Sequence, residues 1–309
     1  MVSVTLSGAG AGRFDGRDGY HLVSRATTET RNDMRTAAPA QPTTVEGTPP
    51  WIGASPVAAL LAMQRPWIEA SELVRSPVWR GHGVPDGGGL PVLLVPGFLA
   101  GDPSLSMMKR WLRARGYRPC TSQIRFNVDC TRQAVERLER RLIEFTDRTG
   151  RPAAIVGQSR GGLFAKIMAM RQPDRVAGIV TLGSPNVDHM AINPLVAQQV
   201  RFVAALGTAG VPGMFRDDCL QGQCAEQLAE WLDRPFPTNV PYVSVYSRSD
   251  WVVDWHACVD PDADNVEIDS SHVGMSVHAK VYGLLGEQLA LLARRPGSGP
   301  GEPGAGRAG

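Results

Sequence analysis

The chain has 309 residues, 32 basic against 30 acidic, a formal net charge of +2 and a hydrophobic fraction of 43%. That length buries a sizeable core without disulfides, and the balanced charge leaves no electrostatic footprint for nucleic acid or an anionic membrane surface. No apolar run approaches the ~20 residues of a membrane-spanning helix, so neither an integral membrane segment nor a nucleic-acid partner is expected.

Residues 1–50 are rich in Gly, Ala, Thr, Arg and Pro without sustained periodicity. They read as a disordered or loosely attached extension. Met1 to Gly10 lacks the basic start of a secretory signal, and Arg13, Asp15, Arg17, Asp18 and Arg25 interrupt the stretch from Ala11 to Arg31. The expectation is a cytoplasmic protein. Residues 295–309 are a Gly/Pro-rich stretch and read as a disordered tail. One domain, 51–294, lies between them.

Trp51 to Trp79 has helical apolar spacing at Val57, Leu60, Leu61, Met63, Trp67, Ile68 and Leu73, punctuated by Pro66 and Pro77. After a triple glycine, Leu90 to Val95 is an unbroken apolar run, as in a strand buried on both faces. A helix is expected over Ser104–Gly116, a strand within Tyr117–Phe126 and an amphipathic helix over Thr131–Thr149. Further strands are expected at Ala153–Val156, Val176–Leu182, Val240–Tyr246 and Asn265–Ile268, with a closing helix over Val277–Ala293. Alternating strand and helix patterns predict an α/β fold with a mostly parallel, doubly wound sheet. Residues 187–239 break the alternation and read as an apolar helical insertion, either a cap over a site or simple packing against the core.

Between the strand at Ala153–Val156 and the helix-like Gly162–Met170 stands Gly157-Gln158-Ser159-Arg160-Gly161. Strand, sharp turn and helix with a serine at the apex is the context a Gly-x-Ser-x-Gly nucleophile elbow requires. The glycines permit the strained turn, and the serine stands at the positive end of the following helix. Such a serine needs a base, and the base needs a carboxylate. Of six histidines, His272 lies in a loop between the last strand and the closing helix, where it can reach the sheet edge; His278 is the reserve. Asp250 falls just past the strand ending at Tyr246, and Asp254 is its rival. The order Ser159, Asp250, His272 suits this type of fold. Backbone N–H groups of Arg160 and of Phe98, with Leu99 the alternative, are the candidate oxyanion donors. The Arg160 side chain is expected in solvent or in a structural salt bridge, or else against a polar part of the substrate.

The cysteines are Cys120, Cys130, Cys219, Cys224 and Cys258, without Cys-x-x-Cys or zinc-ligand spacing. No metal is expected. Cys219 and Cys224 could pair with each other, or one of them with Cys258; reduced thiols are equally compatible with the sequence.

Five segments in order carry a resemblance. They are Pro91–Phe98, Val156–Gly162, Thr181–Pro185, Tyr246–Val253 and Ser271–Met275. Together they resemble the α/β-hydrolase-fold serine hydrolases of the lipase/esterase kind, over roughly residues 50–294. The resemblance implies a Ser159–Asp250–His272 triad, acyl-enzyme chemistry on a carboxylic ester and no cofactor. The position after the nucleophile departs from the family habit, holding Arg160 where small or apolar residues are commoner. The apolar insertion points to a small-molecule ester with an apolar acyl or alcohol group. An acyltransferase or thioesterase using the same three residues, and a catalytically silent binding protein on the same fold, are the alternatives.

Overall fold

The computed structural model describes residues 22–23 and 47–295; the rest of the expected N-terminal extension and the tail beyond Arg295 lie outside the described residues. Seven strands form one sheet: β1 (Leu22–Val23), β2 (Pro91–Val95), β3 (Arg118–Thr121), β4 (Ala153–Gln158), β5 (Val176–Leu182), β6 (Tyr242–Tyr246) and β7 (Asp264–Glu267). Their spatial order is β1-β7-β6-β5-β4-β2-β3. The six strands from β2 to β7 are parallel throughout, and β1 pairs antiparallel with β7 at one edge. The helices are α1 (Pro56–Arg75), α2 (Ser106–Ala114), α3 (Thr131–Thr149), α4 (Arg160–Arg171), α5 (Pro194–Thr208), α6 (Asp218–Gln221), α7 (Gln223–Leu232) and α8 (Ala279–Ala293).

The apolar runs of the strands have a direct structural cause. Alternate residues of β2 point to opposite faces, and both faces are covered. Leu93 and Val95 join a core with α3, α4 and α7, through Leu138, Phe164 and Trp231. Val92 and Leu94 join a second core with α2 and α8, through Trp111, Tyr282 and Leu285. Every residue of β2 is buried. The same doubling holds for Ile155 and Val156 of β4, one in each core. A strand dry on both sides has no reason to alternate polar and apolar residues.

Two expectations are corrected. The strand within Tyr117–Phe126 is only Arg118–Thr121, because Asp102 gathers the next turn, accepting from the Ser122 and Gln123 N–H groups and the Ser122 hydroxyl. In α1 the apolar spacing does not define the buried face. Leu73 is fully buried, but Leu61, Met63, Trp67 and Ile68 are exposed, while the carboxylate residue Glu69 is buried. Pro66 lies inside this helix rather than ending it.

Between β5 and β6 the chain leaves the sheet for α5, α6 and α7. Val203, Ala204 and Phe215 of this excursion form a small separate core with Val128. Among the described residues no helix is long and apolar enough to cross a membrane.

Candidate active site

The site forms at the carboxyl ends of the strands, where α/β sheets hold ligands. Ser159 follows β4 directly and has φ 52° and ψ −125°. A non-glycine residue at positive φ is strained. Its neighbours explain how the turn is held. A Cβ on Gly157 would stand 2.4 Å from the Gly161 carbonyl oxygen, and one on Gly161 would stand 2.3 Å from that of Val95. Helix α4 therefore crosses β2 and β4 with no room for side chains at these positions. The Ser159 N–H donates to the Leu182 carbonyl of β5 at 2.8 Å, which fixes the turn to the sheet.

Asp250 lies past the end of β6 and is 1% exposed. Its Oδ1 accepts the N–H groups of Val252 and Val253 at 2.7 and 3.0 Å. Its Oδ2 lies 2.6 Å from His272 Nδ1. With Nδ1–H donating to a carboxylate, Nε2 becomes the ring nitrogen able to take a proton. The histidine loop is held from three sides. The Gln158 amide donates to the His272 carbonyl at 3.2 Å. Glu69 of α1 accepts from the Ser271 N–H and hydroxyl. Gly274 leaves the space that this carboxylate fills, since a Cβ there would stand 1.5 Å from Glu69 Oε2. Gly183, at φ +56°, passes beside the pair: a Cβ would be 3.1 Å from both Asp250 Oδ2 and His272 Nδ1. Sequence reasoning did not reach Glu69 or the amide of Gln158. Gly183 stands in the Thr181–Pro185 segment directly after β5, and a glycine directly after a strand is the signal of a close approach.

Ser159 and His272 face one cavity of about 330 Å³, at the small end of ligand sites. Phe98, Leu99 and Arg160 line it too. Gly97 lets the loop after β2 close on the serine, where a Cβ would be 3.0 Å from Ser159 Cβ. Leu99 is at φ 58°. Arg160 is the first residue of α4, so its N–H has no partner within the helix. Apolar walls come from the excursion between β5 and β6, including Met190, Val196, Val200, Phe215 and Leu228.

The other candidates have local duties. Asp254 caps a 3-10 turn through the His256 N–H and bonds His256 Nδ1 at 2.7 Å. His278 sits at the N-cap of α8, where its Nδ1 accepts the Lys280 N–H at 3.3 Å.

The expectation for the Arg160 side chain is corrected. The residue keeps some area toward the cavity, but its guanidinium is enclosed. It donates to the carbonyls of Asn127 and Asp129, to Asn127 Oδ1 and to Thr131 Oγ1 at 2.7–3.2 Å. It also lies over the rings of Phe164 and Phe215. Burial lowers its pKa to about 10, against the pull of Asp129, Cys130 and Cys219. The loop after β3 offers a ready set of oxygen acceptors, so the charge has better partners inside than in water.

All five cysteines are free. Cys258 is buried with Tyr246, Val253 and Trp255 and is not part of the cluster formed by three of the others. The Sγ atoms of Cys130, Cys219 and Cys224 instead lie within 4.8 Å of one another.

No protein-family model and no curated protein matches the sequence. Solved structures do match. The mature form of the Bacillus licheniformis lipase BlEst2 is similar with TM-score 0.51 and 15% identity, over 66% of this chain and 94% of that one. Its propeptide form is similar with TM-score 0.51 and 15% identity, over 72% of this chain but 53% of that one. At such identities the likeness speaks for the fold. It agrees with the six-stranded parallel sheet flanked by helices: this chain has the α/β-hydrolase fold.

Proposed function

We propose that the protein is a serine hydrolase of carboxylic esters, working through an acyl-enzyme on Ser159. The observation that carries this reading is a serine on a strained strand-to-helix turn, sharing one cavity with a histidine whose Nδ1 is bonded to the buried Asp250. His272 Nε2 takes the Ser159 proton as Oγ attacks the ester carbonyl carbon. The N–H groups of Phe98 and Arg160 receive the oxyanion. On collapse, the carbon–oxygen bond to the alcohol breaks and His272 protonates the departing oxygen. Water then attacks the acyl-enzyme, passing its proton to His272, and the acid leaves as Oγ regains a proton. Asp250 fixes the imidazole tautomer and stabilises the imidazolium. The apolar walls and modest cavity volume support an ester with one apolar acyl or alcohol arm.

The test is labelling of the purified protein with a fluorescent fluorophosphonate beside the Ser159→Ala variant. Labelling confined to the wild type, followed by turnover of p-nitrophenyl esters, supports the assignment. An unlabelled wild type that turns over no ester favours a silent binding protein. Product analysis with competing alcohols and thioesters separates hydrolase from acyltransferase and thioesterase.

A further inference from the structure

We propose that Cys130, Cys219 and Cys224 are the protein ligands of a single thiophilic metal ion of the Zn2+ class, which clips the excursion between β5 and β6 to the start of α3. Linear spacing hides this set, because Cys130 lies far upstream of the other two. The fold brings Cys130 to the N-cap of α3, and places Cys219 on α6 and Cys224 on α7.

The geometry suits a metal better than a disulfide. The three Sγ atoms form a triangle with every edge within 4.8 Å, and Cys130 to Cys224 is 3.7 Å. Zinc–thiolate bonds of about 2.3 Å at tetrahedral angles put neighbouring sulfurs about 3.8 Å apart. One edge already has that length, and neither of the others exceeds 4.8 Å. A disulfide would use two of the sulfurs and leave the third thiol against it. All three residues are half-buried, so an ion has a path in and a fourth position remains for water.

Charge also balances. Binding would release the thiol protons, and three thiolates on Zn2+ leave one net negative charge. The enclosed Arg160 guanidinium acts electrostatically on Cys130 and Cys219, and the N-terminus of α3 adds its positive dipole end at Cys130. Asp129, also near Arg160, is itself paired with Arg137. Cys219 and Arg160 both line the cavity. The ion would therefore tie down one of its walls, and because neither Ser159 nor His272 is among its ligands the proposal holds whatever the serine does.

The experiment uses the full chain, reduced with a non-thiol phosphine and stripped of metal by a chelator. It is titrated with Co2+ and then Zn2+, and metal content is counted after gel filtration. The expected result is one ion per chain, an intense thiolate-to-cobalt absorption that zinc bleaches, and a zinc-dependent rise in melting temperature. Cys130→Ser and Cys224→Ser should each weaken binding by at least about a hundredfold, more than loss of an outer-shell partner costs. Cys120→Ala, outside the cluster, should leave binding unchanged. The first readout needs no variant, so a misfolded mutant cannot decide the matter. Absence of the cobalt–thiolate band in reduced wild-type protein overturns the proposal. So does a band that survives in both serine variants, or a native disulfide whose reduction yields no metal binding.

Discussion

Glu69 of α1 grips Ser271, the residue before His272. One carboxylate oxygen accepts the Ser271 N–H at 2.8 Å and the other its hydroxyl at 2.5 Å. The same hydroxyl accepts the Gly274 N–H at 3.1 Å. A helix outside the parallel sheet thus sets the position of the histidine loop. Glu69 is 5% exposed, so the bonds that hold it are shielded from water. Glu69→Ala strands the Ser271 N–H and hydroxyl in a buried place. Loss of charge-assisted hydrogen bonds costs about 1.5–3 kcal/mol, and a misplaced base slows chemistry by up to about a hundredfold. The expected outcome is a lower denaturation midpoint and a lower kcat with KM little changed. Glu69→Gln, which keeps one acceptor, should fall between. Wild-type kcat in Glu69→Ala would show that the loop holds itself.

Asp250→Asn tests the orientation of His272. The asparagine carbonyl can keep the Val252 and Val253 N–H groups, which turns its amide NH2 toward His272 Nδ1. A donor there forces Nδ1 to accept, so the ring proton moves to Nε2, the position that must be empty for a base. Under the proposed route kcat falls by about 10⁴, while the melting temperature changes little. A reduction of tenfold or less would assign the base role elsewhere.

Much of this site was legible in the sequence because its parts are local. Gly157, Ser159 and Gly161 form one turn, and Asp250 follows the strand ending at Tyr246. What was not legible is what depends on long-range packing. Glu69 sits in a helix whose apolar residues suggested a different buried face; the structure exposes Trp67 and Ile68 and buries the carboxylate, because Ser271 supplies two donors. Arg160 reads as a surface charge until the loop after β3 and the first residue of α3 fold over it with four acceptors. The strand expected over Tyr117–Phe126 is cut short by Asp102, an upstream residue whose carboxylate competes for the backbone N–H groups of Ser122 and Gln123.

Gly183→Ala puts a methyl where there is no room. The residue is at φ +56°, which costs an L-residue about 1–2 kcal/mol. The added Cβ would also stand 3.1 Å from Asp250 Oδ2 and His272 Nδ1, so the Asp–His pair must shift. Both stability and turnover should drop, turnover by more than tenfold. A crystal structure of the variant would show a longer Nδ1–Oδ2 distance. An unchanged pair with unchanged rate would mean that β5 can yield without disturbing the site.

His278 gives the fold a pH dependence of known sign. Its Nδ1 caps α8 by accepting the Lys280 N–H, which only the unprotonated nitrogen can do. Burial holds its pKa below the ordinary 6.5, and Lys280 lowers it further, against the opposing pull of Glu69, Glu72 and Asp269. The unfolded chain therefore binds this proton more readily than the folded one. The contribution is fully present above pH 6.5 and is lost as pH falls through the depressed folded value. His189, whose pKa burial also lowers, adds to the same slope. His278→Asn supplies a cap that does not titrate, and a helix N-cap is worth about 1 kcal/mol. Between pH 7 and pH 5 the wild type should lose more stability than His278→Asn, measured by urea midpoints in a common buffer. The His189→Gln, His278→Asn double variant should be flatter still. Parallel curves for wild type and His278→Asn would remove the cap from the acid response.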